Sequence, residues 1–168
     1  MRYSQIRKLD ISNGEGIGIS LFVQGCHFHC KNCFNHETWD FNSGKEWTEE
    51  VQCSFLNLIN KPFVKRVSIL GGEPLTDENI EDVLKLIKTI KSDFYLVKIW
   101  LYSGFTYEEC LKTPLKQAIL EHIDVLVDGC YDDNKRDISL HWRGSSNQRV
   151  INVKESIKQD KVVLYDTY

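Results

Sequence analysis

The chain has 168 residues, 42% of them hydrophobic and 27% charged, with a formal net charge of −3. That is enough to bury a core without disulfides or a metal staple, and it lacks the basic excess of a nucleic-acid surface. No apolar run approaches the roughly 20 residues of a membrane span, and the first residues, MRYSQIRKLDISNGEG, lack an apolar signal region, so one domain over 1–168 in the cytoplasm is expected.

In chain order, GISLFVQ (Gly18–Gln24) reads as a strand and ends at the loop GCHFHCKNCFN. TEEVQCSFLNLINK (Thr48–Lys61) reads as a helix capped by Thr48, with Val51, Phe55, Leu58 and Ile59 on one face. VKRVSIL (Val64–Leu70) is a second strand and ends at GGEP. DENIEDVLKLIKTIK (Asp77–Lys91) repeats the helical spacing through Ile80, Val83, Leu84, Ile87 and Ile90. LVKIWLY (Leu96–Tyr102) is a third strand, followed by SGF. Thr106 and Glu109 fit a capping box, and Pro114 opens a helix running to about His122. IDVLVDG (Ile123–Gly129) and QRVINV (Gln148–Val153) read as the last strands; the tail KVVLYDTY is left unassigned. This alternation implies an α/β fold with a mostly parallel sheet, whose ligands gather at strand carboxyl ends. GCHFHCKNC, GGEP, YSGF and VDG all lie at such ends, so one site is expected there.

The six cysteines divide into two groups. Cys53, Cys110 and Cys130 stand singly and read as small, partly buried apolar side chains; a disulfide is disfavoured in a reducing compartment. Cys26, Cys30 and Cys33 have the spacing C-x3-C-x2-C, and the density of soft ligands indicates a metal. The spacing alone leaves two readings. A zinc site could be completed by His27, His29 or His36. An iron–sulfur cluster, normally held by four thiolates, would keep one iron open, as a chemically active metal site does. The histidines read more readily as loop residues or outer donors than as ligands.

C-x3-C-x2-C after one strand, followed about forty residues later by GGEP after another, resembles the radical S-adenosylmethionine superfamily. NGEGIGISLFVQGCHFHCKNCFNHETWDFNSG, SGFTYEE, and VDG followed by LHWRGSSNQRVINV resemble, more closely, the activating proteins of anaerobic (class III) ribonucleoside-triphosphate reductases. The resemblance covers about Asp10 to Val153. Activases of pyruvate formate-lyase share the cysteine loop and the glycine motif but usually have longer chains. Many activases have Asp-Gly-Pro-Gly where this chain has Asn13-Gly14-Glu15-Gly16.

The resemblance implies a partial radical-SAM (β/α) barrel with an open-edged sheet. It implies a [4Fe–4S] cluster on Cys26, Cys30 and Cys33, with S-adenosylmethionine at the fourth iron. Reductive cleavage then gives a 5′-deoxyadenosyl radical that makes a glycyl radical on the reductase large subunit. A flavodoxin or ferredoxin would supply the electron; neither nucleic acid nor membrane takes part. Gly71, Gly72 and Glu73 would meet the methionine moiety, with Pro74 stiffening the turn. Asn32 and Phe34, flanking Cys33, would lie against the adenine, and Ser103 and Asp128 would contact ribose or methionine. Val127 is expected in the core. Arg143, Ser145, Asn147, Gln148 and Arg149 would face cofactor or partner, and Trp142 and Tyr107 a partner-facing surface. Alternatives from other classes are a zinc-binding or thiol-redox module, and radical chemistry on a small molecule, against which RGSSNQRV speaks.

Overall fold

Seven strands form one sheet in the computed structural model, which describes residues 1–165, in the order β3-β1-β2-β4-β5-β6-β7. The strands are β1 Arg2–Asp10, β2 Gly18–Val23, β3 Lys45–Glu46, β4 Arg66–Gly71, β5 Lys98–Ser103, β6 Val125–Asp128 and β7 Arg149–Asn152. The central β2, β4, β5 and β6 run parallel, while β1 and β3 on one side and β7 on the other are antiparallel additions. The sheet does not close into a barrel, in keeping with the partial barrel expected.

Parallel strands need crossovers, and helices supply them. Helix α1 (Glu49–Ile59) begins as read from the sequence, with the Thr48 side chain accepting from the Val51 N–H. Helix α2 (Ile80–Asp93) buries Ile80, Val83, Leu86, Ile87 and Ile90; Leu86, rather than the expected Leu84, completes its buried stripe. Helix α3 (Tyr107–Cys110) has the full Thr106–Glu109 capping box, and α4 (Pro114–Leu120) opens on its proline. Three elements lay outside the sequence reading: β1, the two-residue β3, and a last helix α5 (Val153–Gln159) that starts where a strand residue was expected. None of the described helices is long and apolar enough to cross a membrane.

The two sheet faces differ in chemistry. Ile19, Leu21, Val67, Ile69, Ile99, Leu101 and Leu126 point to the helices and form the main core with Phe55, Ile59 and the α2 stripe. The opposite face carries Arg66, Ser68, Trp100, Tyr102, Val125 and Val127, covered partly by Trp142 and Tyr165. Arg66 is fully buried there. Its Nη2 donates to the Asp10 carbonyl and carboxylate, each at 2.9 Å, and its Nη1 to Ser68 Oγ at 2.7 Å. The turn between β1 and β2 is thereby fastened over this face.

Candidate functional site

The carboxyl ends of β2, β4, β5 and β6 open into one cavity of about 470 Å³, lined by Cys26, Cys30 and Cys33, by Gly71, Gly72 and Glu73, by Ser103 and Gly104, and by Gly129 and Cys130. The four strand-end segments singled out in the sequence therefore do meet. Burial drives the Cys26 thiol up to about 11 and also raises that of Cys33. Among the described residues, no three His, Cys, Asp or Glu side chains are grouped to hold a single metal ion. Thiolates of an iron–sulfur cluster each take a separate iron, and three soft donors along one short loop at a cavity wall fit that donor set.

The cysteine loop and the GGEP turn are stitched together through backbone. Gly72 N–H donates to the Val23 carbonyl at 2.9 Å, and Glu73 N–H to the Gly25 carbonyl at 2.7 Å. The approach is so close that a Cβ on Gly72 would stand 2.4 Å from the Gly25 oxygen. Gly71 adopts φ +105°, which side-chain-bearing residues rarely enter. Two buried amides brace this junction. Gln24 Nε2 donates to the carbonyls of Glu37 and Asp40, and Asn79 Nδ2 to those of Gln24 and Glu73, each at 3.0 Å. Sequence reasoning passed over both residues; a glutamine ending a wholly buried strand was the available signal.

Glu73 is nearly fully buried, at 1% exposure. Its carboxylate accepts from Leu75 N–H (2.9 Å), Ser103 Oγ (2.8 Å) and Gly104 N–H (2.7 Å). Desolvation outweighs these three donors and raises the group to about 7. Ser103 therefore reaches the cavity and also positions Glu73. Asp128 is held differently: its carboxylate accepts from Tyr107 N–H at 2.7 Å and from the Arg149 guanidinium. The cavity wall after β6 is Gly129 and Cys130, and Asp128 is not among the lining residues.

Phe34 lines the cavity, packed against Tyr131 with ring centroids 5.2 Å apart. Asn32, at φ +56°, instead donates through Nδ2 to Asp133 at 2.7 Å and ties the cysteine loop to the turn at 133–135. His27 meets Glu78 at 2.9 Å, His29 stacks on Trp39 and His36 lies edge-on to the same indole; none of the three lines the cavity. In the 143–149 segment Gln148 is the hub. Its Oε1 accepts from the Gly144 and Ser145 N–H groups, and its Nε2 donates to the Gly129 carbonyl. Arg143, Gly144 and Gln148 reach the cavity, as does Trp142, whereas Ser145, Asn147 and Arg149 serve as braces outside it. Tyr107 is buried at 5% exposure and belongs to the core rather than to an outer surface, and Val127 is core as expected.

The single cysteines part company with their common reading. Cys110 is fully buried, but Cys53 is exposed on α1. Cys130 is a cavity residue beside the cysteine loop.

Residues 12–151 match the family described as 4Fe-4S single cluster domain. The chain is 38% identical over 152 residues to the anaerobic ribonucleoside-triphosphate reductase-activating protein of Escherichia coli K12, covering 89% of this chain and 97% of that one. The chain belongs to this family of reductase-activating proteins. Activating proteins from Vibrio cholerae, 38% identical over 88% of this chain and 96% of the relative, and from Enterobacteria phage T4, 34% identical over 89% and 93%, match along nearly their whole lengths too. The span shared with the single-cluster family contains all four strand ends that build the cavity.

Proposed function

We propose that this protein activates an anaerobic ribonucleoside-triphosphate reductase in the cytoplasm by placing a glycyl radical on its large subunit. The observation that carries the reading is the convergence of Cys26, Cys30, Cys33 and the Gly71–Glu73 turn on one cavity in a chain of the activating-protein family. Cys26, Cys30 and Cys33 would hold a [4Fe–4S] cluster, which, reduced by a flavodoxin- or ferredoxin-type donor, would supply the electron for reductive cleavage of S-adenosylmethionine.

The chain's own residues bind and shield. Gly72 leaves backbone bare beside the cysteine loop, and Glu73 offers a buried carboxyl to the methionine ammonium, whose charge would favour the ionised form. Phe34 supplies an apolar face next to the third cysteine for the adenine, with Asn32 holding the loop from outside. Ser103 fixes Glu73, and Asp128, held by Arg149 and Tyr107, fixes the end of β6 from which Gly129 and Cys130 enter the cavity wall. The test is anaerobic reconstitution of the wild type and Cys30→Ala, followed by dithionite, S-adenosylmethionine and the reductase. The wild type should be brown, bleach on reduction, release 5′-deoxyadenosine and give a glycyl doublet in electron paramagnetic resonance; Cys30→Ala should yield neither product nor doublet. A colourless wild type holding one zinc, or turnover retained without Cys30, overturns the reading.

A further inference from the structure

The opening of the cavity has a chemistry of its own. Of the lining residues, Arg7 and Ser12 near the β1–β2 turn and Phe34 on the cysteine loop are exposed, so the cavity opens between these segments. Leu140 and Arg143 reach it from the downstream loop of residues 136–143. That loop is pinned at its base, where Asp137 N–H donates to the Gly144 carbonyl at 3.2 Å and Ser146 N–H to that of Lys135 at 2.9 Å. Three guanidinium groups stand at this rim. Arg7 lies over the Phe22 ring at 4.5 Å and Arg136 over the Phe34 ring at 5.4 Å, while Arg143 Nη1 donates to the Gln148 carbonyl at 2.7 Å. Each is held by these contacts and has further N–H donors. Asp10, 3.7 Å from Arg7, already serves Arg66. Among the described residues, Arg136 and Arg143 form no ion pair. Neighbouring carboxylates are engaged elsewhere: Asp133 accepts from Asn32 and Tyr131, and Asp137 from Ser139. Beside the arginines, Ile11 is 75% and Ile138 88% exposed. A cationic rim with bare apolar side chains, on a chain of net charge −3, suits a partner that brings carboxylates and apolar groups together.

We propose that this rim docks the reductase large subunit, which meets it with carboxylates and apolar side chains next to the target glycine. The inference rests on the activase reading above and adds the chemistry of the contact. A cavity of about 470 Å³ has the size of a small-molecule site and cannot enclose a folded subunit. A glycine that reaches the cysteine end must therefore be carried across the rim, so the partner touches these residues. Guanidinium pairs with carboxylate in a planar, two-point fit, and arginine is enriched at protein interfaces.

The experiment compares anaerobically reconstituted wild type, Arg136→Glu and Ile138→Asp, each with the intact large subunit. Both side chains are exposed and neither lines the cavity, so fold and cluster loading should be kept. Release of 5′-deoxyadenosine with dithionite and S-adenosylmethionine alone should match the wild type. Half-saturation of the glycyl-radical signal should need about tenfold more reductase in each variant. Reductase binding should also weaken less with added salt in Arg136→Glu than in the wild type. An unchanged reductase requirement in both variants overturns the docking surface. So does a fall in 5′-deoxyadenosine release without reductase that more S-adenosylmethionine restores, because the rim would then serve the cosubstrate. A wild type that releases no 5′-deoxyadenosine overturns the activase reading, and with it this one.

Discussion

At the scale of single residues, Glu73 and Gly72 carry the sharpest expectations. Burial raises the Glu73 carboxyl from an ordinary 4.5 to about 7, so the folded protein holds a proton that the unfolded chain has released. Stability of the cofactor-free protein should therefore fall as pH rises from about 4.5 to about 7, by at most ~1.4 kcal/mol per pH unit, and level off above. Glu73→Gln should flatten that slope in denaturant midpoints measured across the range. Gly72→Ala puts a methyl group 2.4 Å from a backbone oxygen with little room to move; a loss of about 1–3 kcal/mol is expected, with weaker cluster retention in iron assays. The cysteines and GGEP were legible because their chemistry sits in local spacing. Gln24 and Asn79 were not, because their roles arise between positions far apart in the chain: Asn79 with Gln24, and Gln24 with the carbonyls of Glu37 and Asp40.

At the scale of elements, what could be read followed burial. The strands β2, β4, β5 and β6 are buried along almost their whole length and appear as apolar, β-branched-rich stretches with few polar residues, such as Ser20, Arg66 and Ser68. Strand β1 is half-exposed to exposed over most of its residues and carries Arg2, Arg7 and Lys8, so no clean alternation marks it. Helix α5 follows β7 without a linker, and its Asn152 cap, which accepts from Glu155 N–H, is itself a strand residue. Helix α3 has only four residues, so its cap should decide whether it forms. Thr106→Ala should cost about 1 kcal/mol and speed amide exchange over Tyr107–Cys110. The Tyr107 N–H also donates to buried Asp128, so the loosening should reach the end of β6.

For the whole molecule, the buried Arg66–Asp10 pair joins the β1–β2 turn to the sheet centre. Burial pushes the Asp10 carboxyl up, but hydrogen bonds from Asn13 and Arg66 more than offset this and hold it below its ordinary value. The pair's contribution is therefore lost as pH falls through the carboxylate range. Asp10→Ala should cost about 3–5 kcal/mol, because it leaves a fully buried guanidinium without its counter-charge. Asp10→Ala combined with Arg66→Met should recover part of that loss in urea unfolding. The cavity wall itself is gathered from Arg7 to Gln148, nearly the length of the chain. Its three adjacent cysteines come from one short loop, whereas Gly129, Gly144 and Gln148 reach the same cavity from far downstream. The cysteine loop alone would present three bare thiols to solvent, so a sheltered cluster pocket needs the downstream loop docked against it.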